Sequence, residues 1–251
     1  MKIEIDTEAR TLKVGAKCLE LYSDEAFAVL SDLWLRVGWN QKYSYTMSWQ
    51  GVPIIQLPED LVRYQEVVHA LKPDVIVETG IAHGGSLVLS ASLLKLNGRG
   101  RVVAVDIEIR PHNRARIEGH ALSPLITLLE GSSTAPAIVG KIKAAIKPGE
   151  TVMVVLDSDH SYAHVMAELE AYAPLVTVGS YIVATDGIMK DLTDVPRGNA
   201  SWGQDNPTQA AIDFCKRNPS FVIEQPKWPF NESKLHRNLT HWPEAWIKRI
   251  A

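Results

Sequence analysis

The chain has 251 residues, 46% of them hydrophobic, enough for one large α/β core or two modest ones. A formal net charge of −3, with no block of consecutive Lys or Arg, excludes the electrostatic footprint expected for nucleic acid or an anionic membrane surface. Two cysteines, Cys18 and Cys215, make neither a disulfide framework nor a metal-ligand spacing and read as buried thiols.

The N-terminus MKIEIDTEAR is charged, and no run approaches the ~18 apolar residues of a membrane span, so a soluble cytoplasmic protein is expected. Short alternation in KIEID and TLKVG precedes a helical pattern in SDEAFAVLSDLWLRVG, with Ser23 as its N-cap and Gly38 as its stop. The aromatic and polar segment NQKYSYTMSWQGVPIIQLP has no period and reads as a surface loop, after which Pro58 opens a helix. From Asp74 the rhythm becomes strand and helix in turn. VIVET, RVVAVD, LITLLEG, TVMVVLD and SYIVATD are apolar runs separated by amphipathic segments, and two further strands lie near FVIEQ and AWIKRI. Runs without alternation mark strands buried on both faces, which predicts an α/β fold with a doubly wound, mostly parallel sheet of seven strands. In SYAHVMAELEAYAPL one helix face carries Tyr162, Val165, Met166, Leu169 and Tyr172.

In such sheets ligands bind beyond the carboxyl ends of the strands. Gly80, Gly84 and Gly85 follow the first core strand with the spacing G-x-x-x-G-G, not the G-x-G-x-x-G of a dinucleotide site, and no P-loop lysine follows. Glu78 stands just before the first glycine, and a carboxylate there suits an amine-bearing ligand better than a polyphosphate. Asp106 ends the second strand, placed to accept from two ribose hydroxyls. Together these describe a site for S-adenosyl-L-methionine; the competing reading is a turn made for tight packing.

The stretches VETGIAHGGSLVLSAS, VVAVDIEIRPHNRARIEGH, LITLLEGSS, VMVVLDSDHSYAHVMAELEAYAPLV and GSYIVATDGI resemble the cephalosporin hydroxylase family, methyltransferase-fold proteins related to sugar and rhamnosyl O-methyltransferases. The resemblance runs from about Leu61 to the C-terminus and implies methyl transfer from S-adenosyl-L-methionine on a Rossmann-like class I methyltransferase fold. It implies cofactor binding by Glu78, Gly80, Gly84, Ser86, Asp106, Asp157 and Ser132, the last at the adenine edge. On this reading residues 1–57 are an appendage carrying acceptor and oligomer contacts, and 58–251 form the methyltransferase domain.

Strand four ends in Asp157, followed by Asp159 and His160, and strand five ends in Asp186. Carboxylates meeting at one edge suit a hard cation such as Mg²⁺, with Asp157 and Asp186 as ligands and Asp159 as a third. Resemblance to metal-dependent O-methyltransferases points the same way, although Thr185 and Gly187 flank Asp186 where a second acid or amide is common. The competing reading makes Asp157 a helix cap and Asp186 a loop anchor. An imidazole titrates near ~6.5, which suits His160 as the general base for a hydroxyl, with Asp157 beside it in the catalytic pair. His112 and Asn113 follow the ribose acid and are candidates for shaping the cofactor site or a subunit contact. Tyr43, Tyr45, Trp49 and Trp202 are candidates for stacking on sugar rings.

The function expected is Mg²⁺-assisted O-methylation of a sugar hydroxyl in a glycoside, natural product or surface polysaccharide. A non-catalytic partner subunit that binds the same nucleoside is the alternative, and a NAD-dependent oxidoreductase is disfavoured by the glycine spacing. The expected partners are a small-molecule or glycan acceptor and further copies of the chain.

Overall fold

Alternating sequence at the N-terminus folds into a small antiparallel sheet: β1 (Ile3–Asp6), β2 (Thr11–Val14) and β3 (Lys17–Glu20). The computed structural model describes residues 2–251. One face of this sheet is apolar, and Leu12 and Leu19 pack there against Ala26 of α1 (Asp24–Asn40). Because side chains alternate along a strand, Cys18 beside Leu19 points outward and is exposed, so it is not the buried thiol expected from sequence. Cys215 is half-buried, and burial pushes its thiol up to about 11. The Ser23 Oγ accepts from the Ala26 N–H at 3.2 Å as the N-cap of α1. Gly38 does not stop the helix, which continues to Asn40.

The segment expected to be all loop contains a hairpin, β4 (Met47–Trp49) and β5 (Val52–Ile54). Its two-residue turn, Gln50-Gly51, has positive φ at both positions, the geometry that matches strand twist. Val52 and Ile54 are buried in the same core as Ile76 and Leu87, so the packing runs across residue 57.

Then follow α2 (Pro58–Leu71), β6 (Val75–Thr79), α3 (Gly85–Leu96), β7 (Arg101–Asp106), α4 (Pro111–Glu118), β8 (Ile126–Glu130) and α5 (Pro136–Ala144). The chain continues through β9 (Val152–Leu156), α6 (Tyr162–Tyr172), β10 (Tyr181–Ala184), α7 (Pro207–Arg217), β11 (Phe221–Ile223) and β12 (Trp246–Arg249). The seven strands lie in the order β11-β12-β10-β9-β6-β7-β8, with β8, β7, β6, β9 and β10 parallel and β12 antiparallel to both its neighbours. All five residues of β6 and of β9 are buried, as an apolar run without alternation requires. Alternate residues feed two cores: Ile76, Val102 and Met153 pack on one face, and Val75, Val103 and Val154 on the other.

From β6 the chain passes to β7 on one side and later returns to β9 on the other. The crevice beyond the carboxyl ends of β6 and β9 is therefore the topological switch point, where open α/β sheets bind ligands.

Candidate active site

The turn after β6 is shaped first by packing. Gly80 has φ +84°, and a Cβ there would lie 1.9 Å from the Asp157 carbonyl oxygen, so only glycine lets the turn pass the end of β9. At Gly85 a Cβ would lie 2.3 Å from the Pro53 carbonyl oxygen. A strap from β5 to Gln56 thus presses on the turn, and the two enclose a narrow cleft of about 30 Å³ bordered by Gln56, Gly80, Ser86 and Asp157. Gly84 is the N-cap of α3.

Glu78 is buried, and its Oε1 accepts from the Ser86 hydroxyl. Burial, opposed by that hydrogen bond and reinforced by the charge of Asp157, pushes its carboxyl up to about 8. With both faces of β6 covered, it is a strut held inside the turn by Ser86 and is not exposed. Asp106 Oδ2 accepts from the Ile81 N–H at 2.7 Å, and its Oδ1 from the Glu108 N–H at 3.3 Å. Asn113, buried in α4, donates to the Ala82 carbonyl at 2.7 Å and so holds the turn from the other side, whereas His112 is exposed. Ser132 lies after β8 and shares a hydrogen bond of 3.1 Å with Thr134.

Beyond β9 and β10 the structure gathers Asp157, His160 and Asp186, each offering one ligand atom, with all three atoms within 4.8 Å of one another. Asp157 is fixed at both oxygens: Thr185 Oγ1 donates to Oδ1 at 2.5 Å and Gln56 Nε2 to Oδ2 at 2.9 Å. His160 Nε2 lies 3.5 Å from Asp186 Oδ2. Burial holds both carboxyls above the ordinary range, and in Asp157 the negative charge of Asp186 adds to this. Asp159 is not in the group. Its Oδ1 accepts from the Ser161 N–H at 2.8 Å, a turn leading into α6, and these bonds to Ser161 hold its carboxyl below the usual range.

Two residues not singled out in the sequence belong to this neighbourhood. Gln56 reaches Asp157 from the strap. Asp60, buried in the first turn of α2, accepts from the Thr240 hydroxyl and from the His241 N–H at 2.8 Å, and burial pushes it up to about 8 with Asp186 contributing. An acid in a helix's first turn is an ordinary sequence feature, so nothing local marked it.

Of the aromatics considered for sugar stacking, Trp49 donates to Ser92 at 3.1 Å and packs on the core, while Tyr43 and Trp202 pack around Leu57 and Ile188. Tyr45 is 55% exposed, beneath Lys42. A wider groove of about 580 Å³, lined in part by Phe27, Arg63, Trp228 and Phe230, includes neither Asp106 nor Asp157 nor Asp186.

A sheet of this order, with a glycine turn at the switch point and an acid ending the next strand, defines a class I methyltransferase fold. The chain belongs to the rhamnosyl O-methyltransferase/CmcI family, whose model matches residues 41–250. A rhamnosyl O-methyltransferase of Mycobacterium leprae is 34% identical over 158 residues, covering 62% of this chain and 66% of that protein, just under two thirds of its length. A ligand-free structure of CmcI superposes with a TM-score of 0.57 at 17% identity, covering 82% of this chain and 77% of that one. A structure of CmcI with Mg and SAM gives 0.53 at 16% identity, covering 82% and 78%. Among the described residues no helix is long and apolar enough to cross a membrane.

Proposed function

We propose that the protein is an S-adenosyl-L-methionine-dependent O-methyltransferase, assisted by Mg²⁺ and acting on a sugar hydroxyl of a glycoside, natural product or surface polysaccharide. The observation that carries this reading is the convergence of Asp157, His160 and Asp186 beside the glycine turn at the switch point. Family membership and the likeness to a rhamnosyl O-methyltransferase support the sugar hydroxyl as acceptor. The donor set fits a small hard cation: two carboxyls raised by burial, Asp157 also by the charge of Asp186, would be stabilised in their ionised forms by a divalent charge.

When bound, the donor supplies an electrophilic methyl group and the cation polarises the acceptor hydroxyl. The chain's own residues do the rest. Asp157 and Asp186 hold the cation, with Asp157 kept in one orientation by Gln56 and Thr185. His160 takes the hydroxyl proton at Nε2, and Asp186, 3.5 Å away, stabilises the imidazolium that results. Asp106 and Ser132 receive the ribose and adenine. Residues 1–57 contribute acceptor and subunit contacts, and the enzyme works as a homo-oligomer in the cytoplasm.

Calorimetric titration with S-adenosylhomocysteine, with Mg²⁺ and with EDTA, tests the donor site; no binding in either condition overturns the reading. The geometry also allows His160 to be a third ligand. His160→Gln decides: turnover lost with Mg²⁺ affinity kept makes it the base, whereas loss of both makes it a ligand.

A further inference from the structure

On the side of α6 facing the sheet lies a group of polar side chains that the proposed chemistry does not use. Glu168 is fully buried, and its Oε1 accepts from the Ser133 hydroxyl at 2.5 Å and the Ser158 hydroxyl at 2.7 Å. His164, one helical turn earlier, places Nε2 3.2 Å from the same oxygen and 3.2 Å from each serine hydroxyl. The other carboxylate oxygen, Oε2, is buried without a hydrogen-bond partner. Lower on the same helix, Tyr172 donates to the Ser133 carbonyl at 2.7 Å.

The two serines come from different loops. Ser133 follows Ser132 in the loop after β8, and Ser158 follows Asp157 in the loop after β9. In the sheet, β9 and β8 are separated by β6 and β7, so their ends stand three strand spacings apart, roughly 14 Å. From those ends the two loops converge on one carboxyl oxygen, so a ligand lying across the ends would meet both. Ser158 also sits against the glycine turn, since a Cβ on Gly80 would approach its Cα to 2.9 Å.

Burying a carboxylate with one oxygen unpartnered costs stability that an apolar residue here would not. What the carboxyl group does supply is one short hydrogen-bonded anchor shared by both loops. We propose that Glu168, with Ser133, Ser158 and His164, is a positioning clamp that sets the spacing between the adenine end and the methyl-transfer end of the donor cleft. This rests on the reading of that cleft as the methyl-donor site. None of the four is a catalytic residue: Glu168 acts through the serines, and the serines through Ser132 and Asp157, their chain neighbours.

The clamp constrains spacing only while both loops are held, so releasing either serine releases the constraint. The test is calorimetry on the full chain and its Ser133→Ala, Ser158→Ala and doubly substituted forms. The probes are S-adenosylhomocysteine, which spans both loops, and adenosine, which spans less of the cleft. Each single substitution should weaken S-adenosylhomocysteine about tenfold, the double should weaken it no further, and adenosine should change by less than about threefold. A role confined to folding stability would lower the melting temperature and leave that ratio unmoved. If the unsubstituted chain binds S-adenosylhomocysteine and the serine variants bind it equally well, or if their effects simply multiply, the clamp is overturned. If the unsubstituted chain does not bind it, the donor reading falls and the clamp with it.

Discussion

Replacing Glu78 by Gln tests the electrostatics of the glycine turn directly. The carboxyl is buried, accepts one hydrogen bond from Ser86, and is raised from 4.5 to about 8, with desolvation the largest cause. In the unfolded chain it ionises above about pH 4.5, whereas in the folded chain it keeps its proton until about pH 8. Its contribution to stability is therefore fully present below pH 4.5 and is lost as pH rises toward 8. At pH 7 the folded state forgoes an ionisation that the unfolded state has gained, a difference of about 3 kcal/mol at 1.36 kcal/mol per pH unit. At pH 5 the same difference is below about 1 kcal/mol.

Glutamine keeps an oxygen for the Ser86 hydroxyl and cannot ionise, so it removes the pH-dependent part and little else. Urea denaturation of both chains from pH 5 to pH 7 should show Glu78→Gln gaining about 2–3 kcal/mol on the native chain across that range. Parallel stability curves would refute the argument, because they would mean that Glu78 ionises as easily folded as unfolded. The same variant separates strut from ligand contact. As a strut, Glu78→Gln leaves S-adenosylhomocysteine affinity within about threefold, whereas loss of a direct charge-assisted contact costs tenfold or more.

Gly80→Ala should destabilise the fold by roughly 3 kcal/mol or more, since its Cβ would lie 1.9 Å from the Asp157 carbonyl oxygen; an unchanged thermal midpoint would contradict that close approach. Gln56→Ala leaves Asp157 Oδ2 without its donor and should cost about 1–2 kcal/mol, with Mg²⁺ restoring more stability to the variant than to the native chain in paired melts. Equal Mg²⁺ shifts would argue against a cation on that oxygen. The Arg101–Glu150 pair makes two bonds of 2.7 and 2.8 Å, and Arg101 holds Glu150 down at about 2. Its contribution is present above pH 4.5 and lost as pH falls toward 2, so Glu150→Gln should flatten the acid limb of stability by about 1 kcal/mol once solvent screening is allowed for.

The sheet was legible because strands buried on both faces leave long apolar runs, as in Val75–Thr79 and Val152–Leu156, and the acids were legible because they stand where those runs end. The hairpin at Met47–Ile54 was not, since its strands have three residues each and its turn is Gln50-Gly51, outside the usual Asn-Gly signal. α4 leaves little pattern for a related reason: among its eight residues only Asn113 and Ile117 are buried, too few to show a period.

The site divides along the same line. Asp157, His160 and Asp186 are assembled by strand ends, which topology places, whereas Gln56 arrives from a strap 101 residues away in sequence, with no local pattern to announce it. Glu168 did leave a signal. It lies three residues after Val165 and beside Leu169, on the buried arc of α6, so an acid interrupts an otherwise apolar face four residues after a histidine. The glycines carry the opposite lesson. Gly80 and Gly85 are each required by backbone from another segment, Asp157 for one and Pro53 for the other, and would be needed with no ligand at all. The site's chemistry rests instead on Asp157, His160 and Asp186, which strand ends bring together; burial raises both carboxyls, and the charge of Asp186 raises Asp157 further, so a divalent cation there would favour their ionised forms.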